Sequence, residues 1–256
     1  MERLAPLSAR DLTIGHGTRV LAQQINFALQ AHEIMALLGP NGVGKTTLMR
    51  TLLGLTPALA GAVYVQGEDL STLPRRSVAR HLAHVPQQLS TAFAYSALDI
   101  VLMGASSRLG PFDRPGKADI AAAETALDRL GIMDLAAQPV TRLSGGQRQL
   151  VLIARALTQG ARCILMDEPT ASLDIANRRA VDAAIRSLAA QGTAVLLSSH
   201  DPDQAVALAD HVLLLGRDGV IAQGATDETL TAAALSDLYG TQLQTGTRPD
   251  GNRYFY

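Results

Sequence analysis

A glycine-rich segment, Gly39–Thr47, follows the apolar run Ile34–Leu38 and precedes the helical pattern Leu48–Leu53. This order of strand, loop and helix is the context in which a P-loop binds a nucleoside triphosphate. Glycines permit backbone torsions that turn successive N–H groups toward one anion, and the helix N-terminus adds partial positive charge there. The residues predicted to form this phosphate cradle are Gly39, Pro40, Asn41, Gly42, Gly44, Lys45, Thr46 and Thr47.

Three side chains of this cradle have separate predicted roles. Lys45 supplies a compact charge to the β- and γ-phosphates, which a forked guanidinium would fit poorly, and it is one of two lysines among 22 basic residues. Thr46 is predicted to bind Mg²⁺ through its hydroxyl, and Thr47 to contact the α-phosphate. The cradle predicts nucleotide binding but does not by itself separate kinases, GTPases, recombinases and transporters.

Two adjacent carboxylates follow the apolar strand Arg162–Met166. Ligands of open α/β sheets bind at such strand ends. Asp167 is predicted to hold Mg²⁺ through water, because this hard ion prefers oxygen ligands and keeps much of its hydration. Glu168 is predicted to polarise the attacking water as a general base. The alternative is that Glu168 is an ordinary exposed loop acid.

A histidine, His200, ends another apolar strand, Thr193–Ser199. The segment Asp201–Gln204 then predicts a helix start, with a capping Asp, Pro in the first turn and Gln three residues after the cap. We expect His200 to project from the strand end toward the γ-phosphate. The alternative is a structural histidine.

Two adjacent glycines, Gly145 and Gly146, lie at the start of the helical pattern Ser144–Thr158. Ser-x-x-Gln is also a capping box, but adjacent glycines weaken a first helical turn and are not needed for a cap. Behind a serine at a helix N-terminus they predict a second anion site. Its residues are Ser144, Gly145, Gly146 and Gln147.

Short strands alternate with helical stretches along much of the chain, which indicates an α/β fold with a parallel sheet. Continuous apolar strands, typical of a sheet buried on both faces, are Ile34–Leu38, Arg162–Met166 and Thr193–Ser198. Shorter alternating segments, which predict an antiparallel edge, are Leu12–Ile14, Ile25–Leu29 and Val63–Gln66. Near the C-terminus, Val212–Leu215 and Val220–Ala222 flank Gly-Arg-Asp-Gly, a hairpin signal.

The organisation predicted from these patterns is one nucleotide-binding domain over residues 1–256. Residues 1–88 and 160–225 form the α/β core with its β edge, 89–159 a helical subdomain, and 226–256 a C-terminal segment. The helical subdomain includes the patterns Lys117–Leu130 and Ser144–Thr158 and a loop at Ser106–Gly116. The tail Thr245–Tyr256 receives no assignment.

The composition of the chain argues against several classes of protein. Hydrophobic residues are 47% and charged residues 18%, which is typical of a globular chain, and the net charge of −1 argues against nucleic-acid binding. The first 15 residues do not predict a signal peptide, and no apolar run reaches the ~18–20 residues of a membrane span. Cys163, in an apolar run, is expected to be buried rather than catalytic. We therefore expect a cytosolic chain that reaches a membrane through a partner.

Leu143–Gln147, together with the motifs above, resembles the signature of the nucleotide-binding subunits of ATP-binding cassette (ABC) transporters, over nearly the whole chain. The resemblance implies that the signature covers the γ-phosphate held by the P-loop of a second copy. It implies that Gln87 contacts Mg²⁺ and the attacking water, and that Asp174, in Ala171–Asp174, reaches across the dimer. His16 lies where the family usually stacks an aromatic ring on adenine, and an imidazole offers a smaller face.

The resemblance implies ATP and Mg²⁺ as cofactors, and a P-loop NTPase fold with a RecA-like core, an antiparallel β edge subdomain and an inserted helical subdomain. It also implies a homodimer that closes on ATP, integral-membrane permease subunits, a periplasmic or extracellular substrate-binding protein, and a place on the cytoplasmic face of the cell membrane. A translation-factor ABC protein would carry two cassettes, a chromosome ATPase a long coiled coil, and a non-ABC P-loop kinase would lack Leu143–Gln147. A non-transport ABC ATPase is the alternative of another class.

The stretch Ala92–Gly104 resembles importers of iron–siderophore, haem and cobalamin complexes, and some molybdate or tungstate importers. Import of an iron complex is therefore the expected role, with the other cargoes as alternatives. Leu89–Gly104 is predicted to grip the permease through Phe93 and Tyr95, followed by a helix that starts at the capping-box spacing Ser96–Asp99. The alternative is that both aromatic side chains fill the core of the helical subdomain.

Overall fold

The structure is a computed structural model that describes residues 4–89, 93–110, 112–217, 219–249, 251 and 253–256. Its strands are β1 (Leu7–His16), β2 (Arg19–Leu29), β3 (Ile34–Leu38), β4 (Ala60–Val65), β5 (Glu68–Asp69), β6 (Leu82–Val85), β7 (Cys163–Met166), β8 (Ala194–Ser199), β9 (His211–Gly216), β10 (Gly219–Ala225), β11 (Thr245–Thr247) and β12 (Arg253–Phe255). Its helices are α1 (Lys45–Leu52), α2 (Arg75–His81), α3 (Ala97–Leu102), α4 (Lys117–Arg129), α5 (Gly145–Gln159), α6 (Ile175–Ala190), α7 (Pro202–Leu208), α8 (Thr226–Thr229) and α9 (Ala232–Tyr239).

The central sheet has the strand order β10-β9-β3-β8-β7-β6 among the described residues. Strands β6, β7, β8, β3 and β9 run parallel, and β10 pairs antiparallel with β9. Every residue of β3, β7 and β8 is buried, which is why their sequences read as continuous apolar runs. The predicted α/β class with a parallel sheet is confirmed, and so is the hairpin β9–β10, although Asp218 of its turn lies outside the described residues.

A second sheet, in the order β2-β1-β4-β5, is antiparallel, as predicted for the edge. The predicted strands were too short, because β1 spans 10 residues and β2 spans 11. The register of β1 against β2 shifts between Ala9 and Leu12, and Asp11 has a φ of 46°. This bulge interrupts the alternation of buried and exposed side chains, so the sequence pattern covers only part of each strand.

The elements that the sequence analysis did not identify include strand β6 and helix α6. Strand β6 has four residues and contains the polar His84, so it resembles neither a buried apolar run nor an alternating strand. Helix α6 has buried side chains at Val181, Ala184, Ile185 and Leu188, a helical spacing that is present in the sequence. Helix α1 begins at Lys45, three residues before the predicted start.

Helices α3, α4 and α5 follow one another between the two halves of the sheet, and no strand occurs among the described residues of 93–159. Their buried side chains, such as Ile100, Leu127 and Val151, belong to the same hydrophobic cluster as Met166 and Leu197 of the sheet. The other face of the sheet packs in a second cluster with β1, β2 and α1. The helical stretch therefore shares its core with one face of the sheet. Across the described ranges, no helix has the length and apolarity required to span a bilayer.

Cys163, the only cysteine of the chain, begins β7 and is completely buried. Burial raises the pKa of its thiol to about 12. Because the thiolate is the reactive form, we expect no reaction with a disulfide reagent in the native chain at mildly alkaline pH, and full reaction after unfolding. The absorbance of the chromophore that the disulfide reagent releases measures the extent of reaction in the native and in the unfolded chain. Rapid labelling of the native chain would contradict this burial.

Candidate nucleotide-binding site

A cleft of about 550 Å³ opens where β3 ends and α1 begins. Its size is within the range of small-molecule sites. The residues that line it are His16, Arg19, Leu21, Asn41, Gly42, Gly44, Lys45, Thr46, Thr47, Gln87, Asp167 and Glu168. The structure thus brings the predicted P-loop, the carboxylate pair and Gln87 together, although Gln87 is 42 positions away from Lys45 in the sequence (87 − 45).

The loop reaches α1 through Gly44, which has a φ of 116° and sits at the helix N-cap. A side chain at this position would be strained, so glycine is required for the chain to enter the helix at this angle. The first N–H groups of a helix have no intrahelical partner, and those of α1 lie at the cleft. The local geometry is therefore that of an anion site.

Lys45 is 6% exposed and folds back on the loop. Its Nζ donates hydrogen bonds to the carbonyl oxygens of Gly39 at 2.7 Å and Pro40 at 3.2 Å, and lies 3.5 Å from Oε1 of Glu168. The predicted residues Gly39 and Pro40 thus contribute acceptors that hold the lysine. The ammonium group has three protons, so it can keep a loop contact while turning toward a phosphate.

Thr46 and Asp167 present two oxygen atoms to the cleft, because Thr46 Oγ1 donates to Asp167 Oδ2 at 3.3 Å. Hydroxyl and carboxylate oxygens are ligands that Mg²⁺ accepts. Among the residues that the structure describes, no group of three or more His, Cys, Asp or Glu side chains could enclose a metal ion. A cation here would complete its shell with phosphate and water oxygens, and Mg²⁺ binds in this way, so the residues fit it.

Ser198, which the sequence analysis did not identify, orients both acids. Its Oγ donates to Asp167 Oδ1 at 2.7 Å and accepts from the backbone N–H of Glu168 at 2.9 Å. Ser198 is completely buried in β8. A serine inside an otherwise apolar buried strand needs a polar partner, and this was the available signal.

Glu168 has a φ of 43°, a left-handed conformation that is uncommon outside glycine. Such backbone strain collects at functional sites, where the surroundings maintain it. The carboxylate is 16% exposed and is flanked by two basic groups: Lys45 on Oε1 and His200, whose Nδ1 lies 3.4 Å from Oε2. Glu168 is therefore enclosed in the site.

His200 projects from the end of β8, and its side chain is 54% exposed. Asp201 caps α7 as expected, accepting from the N–H groups of Asp203 and Gln204. The predicted start of α7, with its capping Asp and a Pro in the first turn, is confirmed. The Gln204 side chain turns inward, where it accepts from Ser199 Oγ and donates to Thr170 and Asp182. A buried network thus supports the strand end that carries His200.

The signature residues Ser144 and Gln147 form a capping box in this chain. Ser144 Oγ accepts from Gln147 N–H at 3.2 Å, and Gln147 Oε1 accepts from Ser144 N–H at 2.9 Å. Gly146 is buried, and a Cβ there would overlap the Asn177 side chain. Asn177 in turn donates to Asp174, which caps α6. This chain's own cleft is not lined by Asp174 or by the signature residues Ser144, Gly145, Gly146 and Gln147.

His16 and Arg19 lie opposite each other across the β1–β2 turn, and both line the cleft. His16 Nε2 is 3.0 Å from Thr47 Oγ1, so its ring is linked to the start of α1. Arg19 was not identified from the sequence. Its distance of three positions from His16, across a two-residue turn, was the available signal, because such pairs share one end of a hairpin.

Comparisons with known proteins show the family of this chain. Residues 22–171 match the sequence profile of the family described as ABC transporter. The molybdate import ATP-binding protein MolC of Haemophilus influenzae is 41% identical over 86% of this chain and 81% of its own length. A probable iron chelatin transport ATP-binding protein of Helicobacter pylori is 35% identical over 93% of this chain and 94% of its own.

A solved structure described as an inward-facing conformation of a metal-chelate type ABC transporter superposes with a TM-score of 0.87. It is 37% identical to this chain and covers 98% of it, while the match covers 96% of that structure's chain. The family match covers more than half of the chain, and the P-loop and acid pair lie in one cleft. The chain therefore belongs to the ABC transporter family of ATP-binding subunits, and it is an ATPase.

Proposed function

We propose that this chain is the ATP-hydrolysing subunit of an importer and that it drives uptake of a metal complex through partner permease subunits. The observation that carries the catalytic part is the position of Glu168 between Lys45 and His200, at 3.5 and 3.4 Å. A carboxylate between a phosphate-binding lysine and an imidazole is well placed to polarise water beside the γ-phosphate.

In this proposal, Thr46 and Asp167 hold Mg²⁺, and Gln87 contacts the ion and the attacking water. The 3.3 Å contact between Thr46 and Asp167 and the presence of Gln87 in the cleft support these roles. Mg²⁺ neutralises charge that develops on the phosphates. His200 assists by contacting the γ-phosphate, and Thr47 contacts the α-phosphate.

The adenine end of the site is proposed to involve His16 together with Arg19. A guanidinium plane stacks on aromatic faces, so Arg19 would supplement the small imidazole. Both residues line the cleft and lie opposite each other in the β1–β2 pair, which supports this pairing.

The active form is proposed to be a homodimer closed on two ATP molecules. The signature residues do not line this chain's own cleft, so a second copy is needed for them to contact nucleotide. Ser144 Oγ accepts a hydrogen bond from Gln147, which leaves the hydroxyl hydrogen to donate to a phosphate of the partner's ATP. Asp174, connected to the signature through Asn177, would contact the second copy as well.

The permease is proposed to dock on the segment Leu89–Gly104 and on the groove of about 500 Å³ that this segment reaches. The docked chain would lie at the cytoplasmic face of the cell membrane. The rim of the groove exposes Leu55 and Met103, which are 51% and 42% exposed, and Arg155 and Gln159 of α5 lie in it. Of the predicted segment Leu89–Gly104, only Met103 and Gly104 line this groove, and residues 90–92 lie outside the described residues. Phe93 and Tyr95 are 67% and 38% exposed. This exposure argues against the alternative that both side chains fill the core of the helical subdomain.

A double variant, Phe93→Ala with Tyr95→Ala, should fold and dimerise normally but lose co-purification with the permease. The two rings pack on each other with centroids 5.7 Å apart and are exposed, so removing them leaves the core intact. Met103→Glu provides a comparison, because it places a charge at the groove itself. Normal permease binding by the double variant, with loss only in Met103→Glu, would restrict docking to the groove.

An iron complex of the siderophore type is the proposed cargo, and a periplasmic or extracellular binding protein is proposed to deliver it. The similarity to the Helicobacter pylori protein and to the metal-chelate transporter supports this cargo. The similarity to MolC favours molybdate or tungstate as the second candidate. Haem and cobalamin are the remaining alternatives among the importers.

The test is reconstitution of the chain with its co-purifying permease and binding protein in vesicles. ATP-dependent accumulation of radioactive iron chelate, and no accumulation of molybdate, is the expected result. Accumulation of molybdate alone would overturn the iron assignment. If the chain hydrolyses ATP and no membrane protein co-purifies with it, a non-transport ABC ATPase becomes the better description.

A further inference from the structure

The C-terminal segment, residues 226–256, packs beside the loop that carries His200. It contains α8, α9 and the hairpin β11–β12. Tyr239, Leu243 and Phe255 pack against the hydrophobic cluster that also holds Ala205 and Leu208 of α7. The segment is therefore attached to the helix that starts immediately after the histidine.

One contact joins this segment directly to the histidine. The Tyr239 hydroxyl donates a hydrogen bond to the backbone carbonyl oxygen of His200 at 3.1 Å. Burial, together with the negative charges of Asp201 and Glu168, raises the pKa of Tyr239 to about 12. The hydroxyl consequently keeps its proton throughout the physiological range, and the contact does not depend on pH.

Asp203 anchors the same segment a few residues further along. Arg248 Nη2 pairs with its Oδ2 at 2.5 Å, and the backbone N–H of Phe255 donates to its Oδ1 at 3.0 Å. These contacts fix the hairpin on α7, so that the C-terminal segment is attached on both sides of the start of this helix, at His200 and at Asp203. A displacement of the C-terminal segment would therefore disturb the contacts at both His200 and Asp203.

The His200 side chain needs such support. It is 54% exposed, and among the described residues its ion-pair contact is the 3.4 Å approach to Glu168. A half-exposed imidazole at a strand end has several rotamers available, and the direction of its Cα–Cβ bond depends on the orientation of the backbone. The hydrogen bond from the Tyr239 hydroxyl to the backbone carbonyl oxygen of His200 restricts that orientation.

We propose that Tyr239 is a positioning residue for hydrolysis, which holds His200 toward Glu168 through the carbonyl of His200. This inference rests on the proposed role of His200 in ATP hydrolysis. It gives the C-terminal segment a function at the active site that the sequence patterns did not indicate. Tyr239 does not contact nucleotide in this proposal, so it acts on turnover rather than on binding.

The test compares steady-state ATP hydrolysis by the purified full chain and its variants. Tyr239→Phe removes one hydroxyl and keeps the ring, so kcat should fall about fivefold while KM changes less than about twofold. Tyr256→Phe is the matched control. It removes a hydroxyl that donates to Gln244 at 3.1 Å in the same segment, and it should hydrolyse ATP like the unmodified chain.

The second comparison places Tyr239→Phe in a His200→Ala background, with single-turnover phosphate release as the readout. The loss caused by Tyr239→Phe should disappear there, because the group that it positions is absent. An equal loss in both backgrounds would mean a general effect on stability and would overturn the proposal. So would an unchanged kcat in Tyr239→Phe. Unchanged hydrolysis in His200→Ala alone would instead refute the proposed role of His200.

Discussion

Replacing Glu168 with glutamine should keep ATP binding and lower ATP hydrolysis by about a hundredfold to ten-thousandfold, the range for loss of a general base. Glutamine has the same shape, and its amide oxygen can retain the approach to Lys45 Nζ, which is 3.5 Å in the unmodified chain. The phosphate cradle and the Thr46–Asp167 pair are untouched. Phosphate release and binding of a fluorescent ATP analogue measure the two effects separately.

The same variant should accumulate as an ATP-bound dimer. Closure requires nucleotide between the P-loop of one copy and the signature of the other, and hydrolysis is the step that reopens it. Size-exclusion chromatography with ATP and Mg²⁺ should show a shift to twice the monomer mass. A variant that binds ATP and stays monomeric would refute the dimer.

Glu33→Gln is the matched control for this experiment. Glu33 also lies near a histidine, with Oε1 3.6 Å from His211 Nε2, and its Oε2 accepts from the backbone N–H of Gln30 at 2.8 Å. It does not line the cleft among the described residues. Hydrolysis should be unaffected, and a comparable loss would mean that Glu168→Gln acts through a general change in the fold.

The parts of the site that could be predicted from sequence are local ones. The P-loop is contiguous, and its strand, glycines and helix determine its shape without reference to the rest of the chain. Strands β3, β7 and β8 are buried along their whole length, so their apolar runs identify them and place Asp167 and His200 at strand ends. The caps of α3 and α5 depend on side chains three residues apart and were also predictable.

The contacts that were missed depend on which strands and segments are neighbours. Ser198 reaches Asp167 because β7 and β8 are adjacent, with Met166 opposite Leu197. Nothing within either strand encodes that register. Tyr239 reaches His200 across 39 positions, through the packing of α9 on the sheet. In the same way the contacts of the Gln204 side chain with Thr170 and Asp182 join positions that are far apart in the sequence, so no local pattern predicts them.

Lys45→Ala should weaken ATP binding itself, in contrast to Glu168→Gln. The ammonium group is the main side-chain charge predicted to face the β- and γ-phosphates. Loss of a charged hydrogen-bonding group costs about 1.5–3 kcal/mol, which is roughly a tenfold to hundredfold increase in Kd. Equilibrium titration with a fluorescent ATP analogue measures it. Lys117→Ala removes the other lysine, which is exposed at the start of α4, and should bind ATP normally.

Glu168 is expected to cause part of the loss of ATP affinity in Lys45→Ala. Lys45 Nζ lies 3.5 Å from Glu168 Oε1, so removing the lysine leaves that carboxylate facing the triphosphate without a compensating charge. The double variant Lys45→Ala with Glu168→Gln should therefore bind ATP several-fold more tightly than Lys45→Ala alone, and still more weakly than the unmodified chain. Unchanged affinity in Lys45→Ala would mean that Gly39–Thr46 is not the phosphate cradle. No recovery in the double variant would mean that Glu168 does not face the phosphates, and the attacking water would then need a different base.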